Sequence, residues 1–448
     1  MLKNVESLGY EKMTEIQRQS LPHILEGKDV IGQGKTGSGK TAAFGLGLLA
    51  SLDASLFKVQ SMVLCPTREL AEQVAISIRQ LARMMPNIKV LSLCGGVPFR
   101  PQMSSLEHGA HIVVGTPGRM AKHLRSESLN IDDLKCFVLD EGDRMLEMGF
   151  QDEIEEVIEA LPTARQTMLF SATYPAKIKS IAEGLTKDPV MVKVAVTHDN
   201  KSIQQFFYEI PAPDQRASSL KLVLQKHAME STVIFCTTKI DAKALQQDLL
   251  RSGFSVLALH GDLEQKDRDE TLIQFANKSS SILVATDVAS RGLDIDSVDL
   301  VVNYHIAIDT EIHIHRIGRT GRAGSKGVAC SLFSDKEQRK ILALEGALGM
   351  KIKKEPLPSR DILTKPKVSP KMVTLKINSG KKHKLRAGNI LGALTGEKGL
   401  KGEVIGKINI TDHSSYVAIE RKSVKQALVK LEGEKFKGRS LKGWLLEG

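Results

Sequence analysis

The sequence has few aromatic residues, only isolated cysteines and no long apolar run. Phe, Trp and Tyr make up 4% of the 448 residues, which argues against a binding surface built from several stacked rings. The five cysteines stand singly, without a CxxC pair, and this favours buried free thiols over disulfides or a metal site. No run approaches the ~20 apolar residues of a membrane span, and the N-terminal residues lack the pattern of a signal peptide. We therefore expect a cytoplasmic protein that does not enter a membrane.

Acidic residues are scarce in the last hundred positions, and this sets the charge of the whole chain. From residue 351 to 448, Lys and Arg outnumber Asp and Glu by 23 to 9, against 40 to 43 in the first 350 residues. The net charge of +11 therefore comes from the C-terminal fifth. An appended basic segment typically binds a polyanion, most often nucleic acid. A tail that only improves solubility is the alternative that charge alone leaves open.

Residues 34–41, GKTGSGKT, match the phosphate-loop pattern G-x-x-x-x-G-K-[ST] at every fixed position. Glycines let backbone N–H groups converge on phosphate oxygens, Lys40 supplies a cation, and Thr41 offers a hydroxyl to Mg²⁺. The flanks predict a short strand over 28–33 and an apolar helix over 41–52, the order that binds anions at a helix N-terminus. A glycine-rich turn without function is the alternative. The full match in this context predicts a nucleoside triphosphate site.

Short apolar runs alternate with amphipathic helical stretches through the first 350 residues. Continuously apolar strands of this kind are typical of parallel sheets covered on both faces. The pattern breaks once, at 195–202, which we interpret as a linker, and then restarts without a second phosphate loop. The strands are predicted at 61–65, 111–115, 136–140, 166–171, 232–236, 255–260, 281–286, 299–305 and 327–333.

The C-terminal region begins with a segment rich in proline and lysine. Residues 353–371 contain four prolines, so we interpret 351–371 as a basic linker. Residues 372–448 then follow the order strand, helix, strand, strand, helix, strand, which predicts a small α+β ferredoxin-like domain. The predicted domains are therefore 1–197, 203–350 and 372–448.

Polar clusters follow two of the predicted strands. Asp140, Glu141 and Asp143 lie at the end of the strand at 136–140, and Ser171 and Thr173 lie at the end of the next. Ligands of open parallel sheets bind beyond the carboxyl ends of the strands. A carboxylate there can hold Mg²⁺ opposite a phosphate loop, and a neighbouring Glu can polarise the attacking water. An acidic strand cap is the alternative for the run on its own.

In the second α/β domain, the octapeptide HRIGRTGR at 315–322 combines three arginines and a histidine without an acidic partner. Its glycines alternate with the arginines, which favours a loop that faces an anion over an ordinary solvated basic face. Because this domain has no phosphate loop, the anion would be the γ-phosphate held by the first domain. Arginines supplied by a second module stabilise transition-state charge in such sites. The predicted site is a cleft that closes on ATP.

These motifs together resemble those of the DEAD-box RNA helicases over residues 1 to about 350. The ordered set is GYEKMTEIQ, GKTGSGKT, PTREL, GG, TPGR, DEGD, SAT, HGD with QKDR, ATDVASRGLD and HRIGRTGR. The strand and helix order after residue 372, and phrases such as MVTL and IGKINI, further resemble the bacterial DEAD-box protein A group. The resemblance implies two tandem RecA-like parallel-sheet domains and a C-terminal RNA-recognition domain that acts on large-subunit ribosomal RNA.

The resemblance also implies residue roles at the ATP site. Gln17 would read adenine with Tyr10 nearby, and Asp294 would contact the ribose. Mg²⁺ would be held by Thr41 and Asp140, partly through water, and Glu141 would be the catalytic base. The phosphate contacts would come from Gly34, Lys35, Thr36, Gly37, Ser38, Gly39, Lys40 and Thr41. Transition-state charge would be met by Arg319 and Arg322, and the closed domains would be coupled by His315 and Arg316 with Asp143, Ser171 and Thr173.

The implied RNA contacts in the two α/β domains are small, hydroxyl or arginine side chains. Such side chains suit phosphate and ribose rather than base edges, so we expect salt-sensitive binding that is indifferent to sequence. They are Pro66, Thr67, Arg68, Gly95, Gly96, Thr116, Pro117, Gly118, Arg119, Arg268 and Thr286. In the C-terminal domain the candidates are Lys381, Lys382, Lys384 and the single aromatic Tyr416, where RNA-recognition domains use several aromatics. Tyr416 could equally serve packing.

The sequence departs from the family pattern at several positions. Gly34 and Gly142 replace the usual Ala, and Gly142 predicts a looser loop beside the base with slower turnover. Met13 replaces a usual Pro, and His313 replaces a usual Tyr. The family also has an aromatic about 17 residues before Gln17, which falls before residue 1 here. Either the natural N-terminus is missing or adenine stacking is weaker.

We therefore expect an RNA-stimulated ATPase that separates short RNA duplexes during large-subunit assembly, with ATP and Mg²⁺ as cofactors. Its partners would be large-subunit ribosomal RNA and assembling ribosomal particles, and it would act as a monomer. One alternative is an ATP-dependent RNA clamp that remodels ribonucleoprotein without productive unwinding. Another is a DNA translocase, against which the extended adenine motif and the RNA-recognition-like tail both argue.

Overall fold

A computed structural model gives the positions of most of the chain. It describes residues 2–34, 37–174, 176–194, 203–287, 298–307, 309–321, 326–396, 399–433, 435–436 and 439–446. The chain divides into a first unit built on Met1–His198 and a second unit that holds most of the residues from Asp199 to Gly448.

The first unit is a parallel sheet of seven strands with helices between them. Its strands are β1 (Val30–Gln33), β2 (Ser61–Leu64), β3 (Val90–Leu93), β4 (Ile112–Gly115), β5 (Cys136–Asp140), β6 (Gln166–Ser171) and β7 (Val190–Lys193). Its helices are α1 (Leu2–Ser7), α2 (Glu15–Leu25), α3 (Lys40–Ala50), α4 (Arg68–Leu81), α5 (Phe99–Glu107), α6 (Pro117–Arg125), α7 (Gly142–Glu147), α8 (Gln151–Ala160) and α9 (Ala176–Leu185). The strand order is β3-β4-β2-β5-β6-β1-β7.

The sequence explains why these strands lie in the middle of the unit. Every residue of β2, β4, β5 and β6 is buried, as expected of strands covered on both faces. Phe137 and Phe170, on neighbouring strands, are fully buried, and each contributes on the order of 2 kcal/mol of burial free energy. Two apolar clusters result, one on each face of the sheet.

The second unit contains another parallel sheet of seven strands. Its strands are β8 (Ile203–Glu209), β9 (Thr232–Cys236), β10 (Val256–Leu259), β11 (Ile282–Thr286), β12 (Leu300–Asn303), β13 (Gly327–Phe333) and β14 (Lys354–Glu355), in the order β10-β11-β9-β12-β13-β8-β14. Its helices are α10 (Arg216–His227), α11 (Lys239–Arg251), α12 (Gln265–Ala276), α13 (Thr310–Ile317) and α14 (Gln338–Leu348). The predicted tandem of parallel-sheet domains is confirmed.

The C-terminal domain, also in the second unit, has an antiparallel sheet in the order β16-β17-β15-β20. Its elements are β15 (Met372–Ile377), α15 (Ala387–Thr395), β16 (Ile405–Ile410), β17 (Ser415–Glu420), α16 (Val424–Gly433), β18 (Lys435–Phe436), β19 (Arg439–Ser440) and β20 (Gly443–Leu446). Leu375, Ile390, Val417 and Leu431 are completely buried in its core. The predicted ferredoxin-like fold is confirmed, with a short β18–β19 hairpin before the last strand.

The segment interpreted as a linker at 351–371 packs on the second parallel-sheet domain. Lys354 and Glu355 form β14, which pairs with β8 at the edge of the sheet. The Gln225 side chain donates hydrogen bonds of 3.0 and 2.9 Å to the carbonyls of Lys365 and Pro366. The segment at 195–202, the other predicted linker, lies outside the described residues.

All five cysteines are buried free thiols, as the isolated spacing predicts. In the ranges given above, no helix is both long and apolar enough to cross a bilayer.

Candidate active site

The sheet order of the first unit places the sequence motifs in two adjoining groups at one edge. The phosphate loop, the acidic run and the Ser171–Thr173 segment follow β1, β5 and β6, which are neighbours in the sheet. The PTREL, GG and TPGR motifs follow β2, β3 and β4, which are also neighbours. Because parallel strands share a carboxyl edge, one half of the edge carries the predicted phosphate chemistry and the other half the predicted RNA contacts.

The phosphate loop runs from the end of β1 to the start of α3. Gly37 and Gly39 have left-handed backbones, with φ of 79° and 95°. The Lys40 ammonium is buried and donates a 2.6 Å hydrogen bond to the carbonyl of Gly34. Thr41 follows in the first turn of α3. The cation and the helix N-terminus thus lie where the sequence predicts them.

Gln17 contacts this loop directly. Its side-chain amide donates a 3.0 Å hydrogen bond to the carbonyl of Gly39, and its oxygen accepts one of 2.9 Å from the backbone N–H of Thr14. A β-carbon on Gly39 would lie 2.5 Å from the Gln17 amide nitrogen, and the φ of 95° disfavours any residue other than glycine there. Gln17 therefore supports the phosphate loop. Tyr10, the other residue predicted near adenine, has an exposed side chain.

Two buried oxygen atoms test whether this edge suits ATP and Mg²⁺. Among the described residues, neither the Ser38 hydroxyl nor Oδ1 of Asp140 has a hydrogen-bond partner. Buried polar atoms normally have one, and a bound group supplies it when the protein does not. A hydroxyl in a phosphate loop can donate a hydrogen bond to a phosphate oxygen, and a carboxylate opposite the loop is a suitable ligand for Mg²⁺. The residues fit the predicted cofactors.

Asp140 and Glu141 lie side by side at the end of β5, and both are almost fully buried. Burial raises the pKa of Asp140 to about 7; the Lys40 charge opposes this rise and the Glu141 charge adds to it. Glu141 has φ of 56° and ψ of 46°, the left-handed region that non-glycine residues rarely occupy. Such backbones cluster at functional sites because the surroundings must stabilise them.

Asp143 connects this strand to the next. Its Oδ2 accepts hydrogen bonds of 2.8 Å from both the backbone N–H and the hydroxyl of Thr173. Its own N–H donates to the Ser171 hydroxyl at 3.4 Å. Burial alone would raise the pKa of Asp143, but the hydrogen bonds from Thr173 and Ser171 and the charge of Arg144 lower it. Three of the residues implied to couple the domains therefore form one network inside the first unit.

Gly142 is packed more tightly than its sequence suggests. A β-carbon there would lie 3.1 Å from Leu139 Cδ2 and 3.2 Å from Ile178 Cδ1, closer than side chains normally approach. The space of the usual Ala methyl is therefore taken by these two side chains. The packing gives no support to the looser loop predicted for this position. At Gly34, by contrast, the nearest atom is the movable Ser38 hydroxyl, at 3.1 Å.

The other half of the edge is organised around Gln102 and Arg119. Arg119 donates a 3.0 Å hydrogen bond to the Gln102 side-chain oxygen and one of 2.9 Å to the carbonyl of Val97. Gln102 also donates to the carbonyl of Cys94 at 3.0 Å and contacts His123 Nε2 at 2.9 Å. Burial, with the charges of Arg119 and Lys122, lowers the pKa of His123 to about 4. This network joins the GG loop to the TPGR helix.

The other predicted RNA contacts of the first unit lie at the same strand ends. Thr67 caps α4, its hydroxyl accepting a 3.2 Å hydrogen bond from the N–H of Leu70. The remainder follow β2, β3 and β4 in loops or first helical turns: Pro66, Arg68, Gly95, Gly96, Thr116, Pro117 and Gly118.

In the second unit, Arg316 of the HRIGRTGR motif contacts residues of the same parallel-sheet domain. Arg316 forms a two-point ion pair with Asp287, at 2.6 and 2.7 Å, and donates to the Asn303 side chain and the carbonyl of His305. Arg316 is 3% exposed. This arginine therefore ties the ATDVASRGLD strand end to α13. His315 lies in α13 beside it, and Arg319 is buried just after the helix.

Two further predicted RNA contacts lie in the second unit. Arg268 lies in α12, and Thr286 is buried at the end of β11. Four predicted residues lie outside the described residues: Lys35, Thr36, Asp294 and Arg322.

The C-terminal sheet contacts the preceding domain through Tyr416, a predicted candidate for RNA contact, and through two residues of β15. The Tyr416 hydroxyl donates a 3.1 Å hydrogen bond to Glu270 in α12, and Lys376 forms an ion pair with the same carboxylate. Thr374 contacts Ser279 at 2.5 Å and Asn277 at 3.1 Å. Burial and the Glu270 charge raise the pKa of Tyr416. Tyr416 is 4% exposed, so we assign it to this contact and not to the RNA surface.

The predicted lysines of the same domain lie elsewhere, on an exposed basic loop. Lys381, Lys382 and Lys384 are exposed and occupy a short turn after β15. The backbone N–H groups of Lys381 and Lys382 donate to the carbonyls of Thr411 and Asp412, at 2.9 and 3.0 Å, which fixes this turn on the β16–β17 connection. We refer to residues 380–386 as the basic loop.

Sequence reasoning missed three side chains that organise these sites. Arg144 contacts Glu141, and its spacing of three positions on a helix could have indicated this. Gln102 gave no signal, because its role depends on residues from two other segments. Glu270 gave none either, since its partners lie more than 100 positions away.

The chain is similar to known proteins over its whole length. Three family models match the chain: DEAD/DEAH box helicase over residues 14–181, helicase conserved C-terminal domain over 215–324, and DbpA RNA binding domain over 374–443. The ATP-dependent RNA helicase DbpA of Escherichia coli (strain K12) is 48% identical over 446 residues, which cover 100% of this chain and 97% of that protein. The chain belongs to the DbpA group of DEAD-box RNA helicases.

Two further similarities extend this result. The ATP-dependent RNA helicase DbpA of Bacillus subtilis (strain 168) is 36% identical over 465 residues, covering 99% of this helicase and 96% of that protein. S. cerevisiae Dbp5 bound to RNA and ADP BeF3 matches 80% of this helicase and 93% of that chain, with a TM-score of 0.71 and 30% identity. This helicase is an ATP-hydrolysing enzyme that binds RNA.

Proposed function

We propose that this helicase separates short RNA duplexes in large-subunit ribosomal RNA during ribosome assembly, as a monomer in the cytoplasm. The observation that carries the proposal is the basic loop on a C-terminal domain fixed to the helicase core. The loop leaves three lysines exposed while the sheet face is occupied by contacts to α12. Phosphate contacts from exposed lysines position a protein on folded RNA through shape and charge.

The first unit supplies the chemistry in this proposal. Mg²⁺ bound with ATP would neutralise phosphate charge, and Asp140 and Thr41 would hold it. Lys40 would leave the Gly34 carbonyl to bind phosphate oxygens, and Gln17 would fix the loop on its adenine side. Glu141 would orient the attacking water and accept its proton.

The other proposed roles follow the placement of the remaining motifs. Arg119 and Thr67 would contact the RNA backbone beside the ATP site. Asp143, Ser171 and Thr173 would sense the state of the nucleotide because Asp143 lies buried in the same acidic run as Asp140 and Glu141. On the second domain, Arg319 and Arg322 would meet transition-state charge, and Asp294 the ribose.

The test compares RNA-stimulated ATP hydrolysis and strand separation in two charge-matched triple variants. The first, K381A/K382A/K384A, removes the exposed lysines of the basic loop. The control, K28A/K58A/K135A, removes exposed lysines that precede strands at the opposite edge of the first sheet. Large-subunit ribosomal RNA fragments and unrelated RNA of equal length serve as activators.

We expect the loop variant to lose its preference for ribosomal fragments and to flatten the salt dependence of binding by about one slope unit per lysine that contacts phosphate. The control should keep both. Equal fragment preference in the two variants would contradict the proposal. ATP-dependent RNA retention without any strand separation would favour the alternative, an RNA clamp that remodels ribonucleoprotein.

A further inference from the structure

The acidic run beside the phosphate loop concentrates three buried carboxylates in four residues. Asp140, Glu141 and Asp143 are 3, 4 and 5% exposed. Buried ionised groups are costly unless each has a partner of its own. Lys40 faces Asp140, and Thr173 with Ser171 binds Asp143. The third carboxylate, Glu141, pairs with a different cation, Arg144.

Arg144 and Glu141 form a buried ion pair. Arg144 donates a 2.9 Å hydrogen bond from one guanidinium nitrogen to Glu141 Oε2, and each side chain is 5% exposed. The Arg144 backbone N–H also donates to the Glu141 carbonyl at 3.1 Å and to Asp143 Oδ1 at 3.0 Å. The side-chain ion pair and the backbone hydrogen bond therefore both join Arg144 to Glu141 across the first turn of α7.

This turn carries an unfavourable backbone at its first residue. Glu141 is in the left-handed region, where a β-carbon costs roughly 1–2 kcal/mol. Helix α7 has only six residues, so it holds this conformation poorly by itself. The ion pair fixes the far end of the Glu141 side chain and the hydrogen bonds of Asp143 fix the other side of the turn.

We propose that Arg144 is a positioning residue for Glu141, holding its carboxylate in the orientation from which it acts on the attacking water. This inference rests on the proposed role of Glu141 as the base. The described contact joins one guanidinium nitrogen to Glu141 Oε2, so a lysine ammonium can replace it, whereas a methionine of similar length cannot. Loss of Arg144 displaces the base without altering the phosphate loop that binds ATP.

The experiment measures RNA-stimulated ATP hydrolysis in full-length R144M and R144K. We expect R144M to lower kcat by about 10- to 100-fold, the cost of misplacing a catalytic group, with KM for ATP unchanged. R144K should recover most of the rate. Binding of a fluorescent ATP analogue, measured separately, should be unchanged in both, which also shows that the first unit is folded. R125M, which breaks an exposed ion pair with Glu156 in the same unit, is the matched control.

A double variant separates positioning from a general structural effect. If Arg144 acts through Glu141, R144M added to E141Q should not lower the residual single-turnover rate further. A further loss in the double variant overturns the inference, as does an unchanged kcat in R144M. Loss of ATP-analogue binding without rescue by R144K also overturns it, and so does a rise in RNA-independent hydrolysis. Wild-type hydrolysis by E141Q alone would instead refute the proposed base.

Discussion

Tyr416 and Lys376, on neighbouring strands of the C-terminal sheet, share one carboxylate of the preceding domain, Glu270. The Tyr416 hydroxyl donates to Glu270 Oε1 at 3.1 Å, and the Lys376 side chain is only 9% exposed in its ion pair. Removing one partner of a buried pair leaves an uncompensated charge. The contact therefore depends on Glu270 more than on any exposed pair across the same boundary.

Replacing Glu270 by Ala should release the C-terminal domain from the helicase core. We expect the contact between the two domains to lose about 3–5 kcal/mol of stability, because Lys376 is left buried without its partner. Hydrogen exchange at β15 and proteolysis within 351–371 should both become faster. Glu230→Ala is the control, because Glu230 pairs with Lys371 in the same region while both side chains are more than half exposed. Equal hydrogen exchange in the two variants would contradict this role of Glu270.

His313 should make the protein sensitive to acid. It is completely buried, and burial followed by the Arg316 charge lowers its pKa to about 3 from an ordinary value near 6.5. Within the described structure neither ring nitrogen has a hydrogen-bond partner. The folded state therefore holds His313 in its neutral form. Its contribution to the free energy of unfolding is complete above pH 6.5 and falls below that value, because the unfolded chain then takes up a proton that the folded protein does not.

The variant His313→Phe should remove this acid sensitivity. Phenylalanine cannot titrate and keeps a ring beside Phe207, 6.1 Å away in the native protein. At pH 5 we expect the native free energy of unfolding to have lost about 2 kcal/mol more than that of the variant, both relative to pH 7.5. Urea unfolding at the two pH values measures it. Parallel losses in the two proteins would show that His313 is not responsible.

Restoring the family residue at Gly142 should destabilise the first unit unless a neighbour is trimmed. Alanine improves helix propensity by up to about 1 kcal/mol, but its methyl would meet Leu139 and Ile178 at 3.1 and 3.2 Å. Overpacking typically costs about 1–3 kcal/mol, so we expect Gly142→Ala to be less stable overall. Combining it with Ile178→Val should recover the loss, with Ile178→Val alone as the control. Full additivity of the two changes in urea unfolding would refute this coupling.

Comparison of particular elements shows what the sequence could predict. Strand β5 was predicted at its observed bounds, 136–140, because five apolar or terminal residues form one continuous buried run. Strand β3 was missed, since two of its four residues are only partly buried and the pattern is weak. The two-residue β14 exists only through its pairing with β8, which no local pattern encodes.

The same limit applies to the site. Phosphate-loop and strand-end residues were found because their chemistry requires fixed residue types at fixed spacings. The motif left Tyr416 open between packing and RNA contact, because its partner Glu270 lies in α12, more than 100 positions earlier in the chain. Contacts between distant segments decide whether a side chain such as Tyr416 packs within the protein or faces RNA, and the local sequence does not encode them.

The most direct test of the central account is hydrolysis and binding in Glu141→Gln. Glutamine keeps the size of the side chain and removes the carboxylate that would accept the proton. We predict that ATP-analogue and RNA binding stay within about twofold of the native protein, while RNA-stimulated hydrolysis falls by at least about 100-fold. Hydrolysis at the native rate with bound RNA would contradict the assignment of Glu141 and the active site built around it.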